Sequence, residues 1–407
     1  MIKYKVLLKC RICGSQKLKK WADLGTQPLA NSLLATSDQP YDTYPLEVFV
    51  CEDCTLSQLS VVVDPEKMFT SYLWQAGLSK SWVEHCKWIA NTLCNDMIYP
   101  ESSKIIDIGA NDGCLVSYFK EKGFSTLGVE PSQQGTFGAK NFYDYDSIHS
   151  LWNIDVAQQV LVDYGIFDII TATNVLAHVD DVHDFLEGVK LVLATGGVFF
   201  IEVPYVKNLI KDLRFDTIYH EHLSYFSATS LYQLMNLHAL KIVKIEHVPV
   251  HGGSLAIWVR HQSFTCGMHE SVGYFLDAEQ KHNKLELDFQ NQLLLSKINL
   301  HKQLKNLKGS IAIYGASAKA TVFLNYMELS NQTIACAFDD NIDKQYRYIP
   351  GTGIEIFPPR FAVDNLILTS WNIQKDLEEK IRSEGFKGEI WVVCHGETAC
   401  LQLLCLS

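Results

Sequence analysis

At 407 residues the chain is too long for one hydrophobic core, and its 47% hydrophobic and 20% charged residues are those of a globular protein of roughly two to three domains. A formal net charge of -11 argues against nucleic-acid binding as the main function, and no apolar run approaches the length of about 20 residues that spans a bilayer. Twelve scattered cysteines without a disulfide spacing, and an N-terminus without a signal-peptide pattern, predict a protein of the reducing cytoplasm.

Two Cys-x-x-Cys pairs lie near the N-terminus, Cys10 with Cys13 and Cys51 with Cys54. Such pairs on tight turns are typical of tetrahedral zinc sites, but 37 residues separate them, so the segment that contains residues 27–32 must loop out and return. Four thiolates leave no open coordination position, which predicts structural Zn²⁺. The alternative, a redox dithiol, would need only one pair beside a strand–helix unit.

The next region begins with a helical pattern over residues 68–95, whose first part, around Tyr72 and Trp74, is aromatic and irregular. That part is interpreted as either a lid or ordinary packing. An apolar strand follows at 104–108 and leads through a glycine turn into a helix that is expected to begin near residue 115.

The glycine turn reads D-I-G-A-N-D-G, and a second strand about 20 residues later ends in Glu130, where a carboxylate can bind a ribose diol. The turn is not G-x-G-x-x-G, which argues against a nicotinamide dinucleotide. The turn and the acidic strand end together resemble class I S-adenosylmethionine-dependent methyltransferases. The candidate cofactor-binding residues are Asp107, Gly109, Asn111, Asp112, Gly113, Glu130 and Asn174.

Two further strands are predicted at 167–174 and 196–204, and the chain that leaves the first of them carries His178. The second contains Glu202, a candidate for substrate binding. Ligands bind at the carboxyl ends of strands in doubly wound sheets, so His178 lies where chemistry is expected. Strands at 239–248 and 254–259 would complete the antiparallel end of this fold.

Residues 215–226 contain Tyr219, His220, Glu221 and His222 in succession. A phenol, two imidazoles and a carboxylate suit acid–base chemistry near neutral pH. In an extended segment, Tyr219 and Glu221 would share one face, and the two histidines the other. The alternative is a polar turn whose histidines are only hydrogen-bonded.

After one or two linking helices over 271–307, a second strand–glycine turn–helix unit begins at residue 310. Ser317 and Lys319 stand at the start of its helix, where amides, a hydroxyl and an ammonium suit a phosphate. Strands at 333–338, 365–369 and 389–393 would make a smaller α/β domain. Lys344 and Arg347 are further candidates for contacts to a nucleoside diphosphate, whereas the alternative is a scaffold domain with an empty turn.

The paired cysteines, together with D-I-G-A-N-D-G, N-V-L-A-H-V-D-D, F-D-T-I-Y-H-E-H-L-S-Y-F and H-G-G-S-L, resemble the nucleotide-sugar C-methyltransferases over essentially the whole chain. The resemblance implies S-adenosylmethionine as cofactor and a nucleoside diphosphate-linked deoxyketosugar as substrate. It implies that His222 is the base, that Tyr219 lies beside the substrate, and that Glu221 and His178 line the pocket. It also implies an aromatic contribution from Tyr72 or Trp74, and a C-terminal domain that holds the nucleotide-sugar.

The chemistry can be argued independently of the resemblance. A ketone acidifies the neighbouring C–H, and neutral His222 is suited to remove that proton. Tyr219 or His178 could then stabilise the enolate oxygen, and Glu221 could orient an imidazole or hold a sugar hydroxyl. Together with the resemblance, this predicts C-methylation of a 4-keto deoxysugar, for which we expect carbon 3, while carbon 5 and the choice of thymidine or guanosine diphosphate stay open. The alternatives are a small-molecule O- or N-methyltransferase and a non-catalytic zinc-ribbon adaptor.

The predicted fold class is α/β, with three units and a linker. These are a four-cysteine zinc module over 1–68, a class I methyltransferase domain over 69–263, a helical linker over 264–308, and a Rossmann-like domain over 309–407. The expected partner is a small-molecule substrate, with neither nucleic acid nor membrane, and self-contained domains predict a monomer.

Overall fold

The computed structural model of the protein describes residues 4–64, 79–95, 103–132, 145–281, 288–394, 396 and 398–404. Its N-terminal module is all β, and buried residues alternate with less buried ones along most of the strand Thr43–Cys51. The strands of this module are β1 (Tyr4–Val6), β2 (Leu18–Pro28), β3 (Thr43–Cys51), β4 (Ser57–Leu59) and β5 (Val61–Val63).

The central domain is a seven-stranded sheet of order β12-β13-β10-β9-β6-β7-β8, in which β13 runs antiparallel to both neighbours. Fully buried Ile, Val and Phe runs explain why its middle strands accept helices on both faces. The strands are β6 (Lys104–Ile108), β7 (Ser125–Val129), β8 (Asp146–Ile148), β9 (Phe167–Thr173), β10 (Leu193–Pro204), β12 (Leu240–Val248) and β13 (Ser254–His261).

Helices flank this sheet and connect its parallel strands, as the doubly wound prediction requires. They are α1 (Lys80–Asn95), α2 (Cys114–Glu121), α3 (Ile154–Tyr164), α4 (Val182–Val192), α5 (Val206–Lys211) and α6 (Ala228–Leu237). Short 3-10 helices lie at Leu176–His178, Phe215–Thr217 and Val250–Gly252. The first part of the predicted helix 68–95 lies outside the described residues.

Two helices, α7 (Glu270–Lys281) and α8 (Phe289–Asn306), lead into a second α/β domain of strand order β16-β17-β15-β14-β18-β19-β20. Its five inner strands are parallel, and the two edge strands are antiparallel. Its strands are β14 (Ile311–Tyr314), β15 (Cys336–Phe338), β16 (Tyr348–Ile349), β17 (Ile354–Phe357), β18 (Asn365–Leu368), β19 (Glu389–Cys394) and β20 (Cys400–Leu403). Its helices are α9 (Ala318–Tyr326), the 3-10 helix Trp371–Ile373 and α10 (Gln374–Ser383).

The N-terminal module is joined to the central domain through a shared sheet. The short strand β11 (Ser224–Tyr225) follows the Tyr-His-Glu-His stretch and pairs antiparallel with β4, which gives the sheet order β11-β4-β3-β2. The predicted fold class is thereby confirmed: a cysteine-bearing module, a methyltransferase-type sheet and a second α/β domain. In the described part of the chain, no helix has both the length and the apolar character to cross a membrane.

Candidate active site

The four paired cysteines converge at one point of the N-terminal module. All four Sγ atoms lie within 4.8 Å of one another, with 3.3 Å between Cys10 and Cys54 and 3.5 Å between Cys13 and Cys51. Thiolates on tetrahedral zinc lie about 3.8 Å apart, since each Zn–S bond is near 2.3 Å. The donor set therefore fits Zn²⁺ with no open position, as predicted.

The turn after β6 brings three carboxyl groups together. Asp107, Asp112 and Glu130 are all buried, and Glu130 accepts hydrogen bonds from the amides of Asn111 and Ser132, each at 2.8 Å. Burial, then repulsion from Glu130, raises the pKa of Asp107 to about 7, although the Thr171 hydroxyl donates to its Oδ1 at 2.6 Å.

This concentration of negative charge fits a cationic ligand. In the described part of the chain no lysine or arginine pairs with Asp107 or Glu130. S-Adenosylmethionine carries a sulfonium and an ammonium, so the buried carboxylates complement it. Gly109 and Gly113 have φ of 75° and 91°, a left-handed conformation that a side chain would strain.

Asn174 lies at the carboxyl end of β9, next to β10. Its backbone is also left-handed, with φ of 58°, and its amide donates to the Glu202 carbonyl at 2.8 Å. The Glu202 side chain is fully buried and bonds the His85 imidazole of α1 at 2.6 Å. Glu202 is therefore tied to α1, and no sequence pattern indicated His85 as its partner.

The Tyr-His-Glu-His stretch is a turn, so the expected alternation of an extended segment is wrong. The His222 amide donates to the Tyr219 carbonyl at 2.9 Å, which closes the turn and places Tyr219 and His222 on the same side. Their rings lie 4.0 Å apart, and the Tyr219 Oη–His222 Nε2 distance is 2.8 Å. His220 points away, with Nε2 3.3 Å from the Pro45 carbonyl.

The hydrogen bonds of His222 identify its tautomer. Nδ1 lies 2.9 Å from the Thr217 carbonyl, which can only accept, so Nδ1 carries the proton. In the neutral ring Nε2 then accepts from the Tyr219 hydroxyl. The Thr217 carbonyl, rather than Glu221, orients this imidazole, and Nε2 is the basic atom that faces the site.

His222 is held neutral by its surroundings. Burial lowers its pKa well below the ordinary 6.5, and His178, Lys319 and His251 add repulsion, against the opposing Thr217 hydrogen bond. The His178 ring lies 4.9 Å from that of His222, and burial lowers its pKa to about 4. Burial lowers the pKa of His251 to about 3.

Lys319 enters this cluster from the C-terminal domain. Its ammonium lies 5.7 Å from the Trp371 ring, and burial lowers its pKa, while Asp216 opposes that shift. The Trp371 indole in turn donates to Asp216 Oδ2 at 2.7 Å. Lys319 thus supplies the positive charge of this cluster, next to imidazoles that burial keeps neutral.

Glu221 is buried beside this cluster. Asn31 Nδ2 donates to its Oε1 at 2.7 Å, and burial raises the pKa of the carboxyl to about 7 against this hydrogen bond. The His178 imidazole donates to the Glu221 backbone carbonyl, which ties the two candidates together. Among the predicted catalytic residues, the structure thus brings together His222, Tyr219, Glu221 and His178.

The other substrate candidates are placed differently. Ser317 caps α9, since its Oγ accepts from the Ala320 amide at 3.4 Å. The Lys344 Nζ atom lies 3.2 Å from Asp339 Oδ2, so its ammonium forms an ion pair within the domain. Arg347 is exposed. Tyr72 and Trp74 lie outside the described residues.

Several contributors could not be found from the sequence. Asn31, His251 and Trp371 belong to distant segments that the fold brings to the turn, and neither spacing nor periodicity marks them. Of these three, only His251 lies in a quoted motif, H-G-G-S-L. Asp216 and Thr217 belong to the F-D-T-I-Y-H-E-H motif itself, but no pattern in the sequence indicated a role for them.

Three family models match the chain in sequence. A zinc binding domain matches residues 10–69, a methyltransferase domain matches 85–245, and a C-methyltransferase C-terminal domain matches 249–394. The chain therefore carries a zinc-binding module and a methyltransferase domain that takes S-adenosylmethionine, as the resemblance implied.

The chain is also similar to individual proteins. The C-methyltransferase NovU of Streptomyces niveus is 28% identical over 382 residues, which are 91% of each chain. Among solved structures, the magnesium protoporphyrin IX methyltransferase of Synechocystis aligns with a TM-score of 0.33 and 12% identity, over 44% of this chain and 79% of its own. The ribosomal protein L11 methylase of Lactobacillus delbrueckii aligns with a TM-score of 0.30 and 14% identity, over 45% of this chain and 80% of its own.

Proposed function

We propose that this chain, which carries the zinc-binding, methyltransferase and C-methyltransferase C-terminal domains, methylates carbon 3 of a 4-keto deoxysugar that is linked to a nucleoside diphosphate. One observation carries the proposal: a neutral His222, with Nε2 as its basic atom, is paired with the Tyr219 hydroxyl at 2.8 Å and lies near the Lys319 ammonium. That arrangement suits a carbon acid.

Removal of a proton from carbon needs a base that is unprotonated at neutral pH. The lowered pKa keeps His222 in that state, and the Thr217 carbonyl holds Nδ1–H so that Nε2 receives the proton. As the Tyr219 hydroxyl turns from Nε2 to the ketone oxygen, it frees the base and donates to the enolate at the same moment.

The enolate oxygen develops negative charge where the site is electropositive. The Lys319 ammonium stabilises that charge, and the imidazolium formed when His222 takes the proton adds to it. Bound S-adenosylmethionine supplies the methyl group to the carbanion carbon. The residues of this chain hold the enolate in attack geometry and keep water from reprotonating it.

Two further features favour a nucleotide-linked sugar over a small O- or N-methylation substrate. Methylation of an oxygen or nitrogen acceptor needs neither a base that removes a proton from carbon nor a second α/β domain that delivers Lys319 to the site. The relative from Streptomyces niveus is named a C-methyltransferase and matches over 91% of both chains. Exposed Arg347 offers a contact for the diphosphate.

The test is deuterium exchange into 4-keto deoxysugar nucleotides in heavy water, with S-adenosylhomocysteine bound. We expect the wild type to exchange the proton at carbon 3 and His222→Asn to lose the exchange. His220→Asn is the matched control, since that imidazole lies in the same turn but faces the Pro45 carbonyl. The control should exchange like the wild type.

Exchange at carbon 5 alone would change the methylated position. Exchange that persists in His222→Asn would assign the base to Tyr219, Glu221 or His178. If the wild type exchanged no keto-sugar nucleotide, O- or N-methylation would replace the proposal.

A further inference from the structure

The carboxylate of Glu221 depends on a side chain from the N-terminal module. Asn31 lies 190 positions earlier in the chain, and its Nδ2 donates to Glu221 Oε1 at 2.7 Å. Glu221 is only 4% exposed. In the part of the chain that the structure describes, the hydrogen bond from Asn31 goes to Oε1, and Oε2 accepts none.

The loop that carries Asn31 is fixed on both sides by the C-terminal domain. The Thr321 hydroxyl of α9 donates to the Ala30 carbonyl at 2.8 Å. Three residues after Asn31, Leu34 and Tyr348 exchange backbone hydrogen bonds of 2.9 and 2.8 Å. Asn31 is thus held between two attachments, and its amide has little freedom to turn away.

The backbone of Glu221 is fixed as well. Its carbonyl accepts from the His178 imidazole, and the next two residues lead into β11, which pairs with β4. Leu59 donates its amide to the Leu223 carbonyl at 3.1 Å. Donor and acceptor therefore meet because both segments are anchored, and the contact is part of the fold.

Asn31 is the group that favours the ionised carboxylate. The titratable groups of the elements around Glu221 are Tyr219, His220 and His222 of its own turn, His178 of the neighbouring 3-10 helix, and Tyr44 of β3 beside His220. All three histidines are neutral near pH 7, because burial lowers their pKa values. The Lys319 ammonium acts on His222, whose pKa it lowers.

We propose that Asn31 is a positioning residue of the methyl-transfer site, which favours the ionised form of the Glu221 carboxylate and turns it so that Oε2 accepts a hydrogen bond from a substrate hydroxyl. The proposal rests on the sugar substrate proposed above. The N-terminal module thereby contributes to the active site by a side chain of its own, 18 positions after Cys13 of its zinc cluster.

The test uses the full-length protein with Asn31→Leu, which removes the donor at similar volume, and Ser32→Ala as the matched control on the same loop. Loss of a hydrogen bond that favours the ionised carboxylate raises the pKa of that carboxyl. Asn31→Leu should therefore move the acid limb of the kcat/KM profile upward by about one pH unit. S-Adenosylmethionine affinity should stay unchanged.

A second measurement needs no substrate. Unfolding by urea should show a gap in stability between wild type and Asn31→Leu that widens from pH 5 to pH 9, as Glu221 ionises, and the widening should vanish in a Glu221→Gln background. A gap that is independent of pH, with an unmoved kcat/KM limb, would overturn the proposal and leave Asn31 a packing residue. If no keto-sugar nucleotide is methylated but the gap widens, the Asn31–Glu221 pairing stands and only the sugar substrate fails.

Discussion

The pairing of Tyr219 with His222 sets the reactivity of the site at the scale of single atoms. One hydrogen bond assigns the proton to Nδ1, and the other covers Nε2 with a phenol at 2.8 Å. In the free protein the base is therefore neutral, and its Nε2 accepts a hydrogen bond from the Tyr219 hydroxyl. A substrate oxygen that accepts this hydroxyl instead leaves Nε2 available to take a proton.

Replacement of Tyr219 by Phe should remove the hydrogen bond to His222 Nε2 and also the proposed donor to the enolate. The expected result is a fall in kcat of about 10²–10³-fold, the usual effect of losing one oxyanion donor, with unchanged cofactor affinity. Single-turnover methyl transfer and a cofactor titration measure the two quantities. The exposed Tyr274→Phe is the control. A kcat within a few-fold of wild type would exclude Tyr219 as that donor.

The buried Glu221 makes stability depend on pH in a defined direction. Its pKa is raised from 4.5 to about 7, so between these values the folded protein holds a proton that the unfolded chain releases. Stability should therefore fall as pH rises through this window. Glu221→Gln removes this pH dependence, so above pH 7 its free energy of unfolding should exceed that of the wild type by at most about 3 kcal/mol.

Urea unfolding at several pH values measures this difference, and the exposed Glu389→Gln provides the control. The free energy of unfolding is plotted against pH for Glu221→Gln and for the wild type. If the two plots stay parallel from pH 4.5 to pH 8, Glu221 is ionised throughout this range in the folded protein.

Among the secondary-structure elements, the sequence predicted the strands and the glycine turn after β6, but it did not predict the turn at residues 219–222. The β6 turn and the acid at Glu130 follow local patterns, and the structure has both. Residues 219–222 contain neither Gly nor Pro, so nothing local indicated a turn. The pairing of β11 with β4, 166 positions away at Ser224 and Gln58, imposes it. Alternation failed because a long-range contact determined the backbone.

The N-terminus of α9 reaches across a domain boundary with Lys319. Lys319→Met should lower kcat/KM by about 10- to 100-fold, because one hydrogen bond to a charged group is lost, while cofactor affinity stays constant. Removal of the charge also relieves repulsion on His222, so the pKa of that imidazole should rise. Steady-state kinetics with exposed Lys387→Met as control test the prediction; an equal loss in both variants would contradict it.

For the whole molecule, the site lies where three domains meet, and this could not be predicted from the sequence. Asn31 and Glu221 are 190 positions apart, and Asp216 and Trp371 are 155 apart. Periodicity and spacing describe neighbours along the chain, whereas these contacts depend on how finished domains pack. Local motifs indicated the four-cysteine cluster and the Tyr-His-Glu-His stretch, but their connection came only from the structure.

That connection runs from the metal cluster to the catalytic turn. Cys54 is followed by β4, β4 pairs with β11, and β11 directly follows the turn that ends at His222. Structural zinc contributes its binding energy to folding, so its loss should loosen β4 and release the turn. The cofactor turn after β6 lies in another sheet and should remain intact.

Removal of zinc by a chelator should therefore abolish methyl transfer but leave S-adenosylmethionine affinity within a few-fold. Hydrogen exchange should lose protection at the amides of Leu59 and His222, which bond the Leu223 and Tyr219 carbonyls, and keep it in β6 and β7. Restored zinc should restore both activity and protection. Protection lost equally in β6 would indicate global unfolding, and activity that survives the loss of zinc would show that the turn holds its geometry without the N-terminal module.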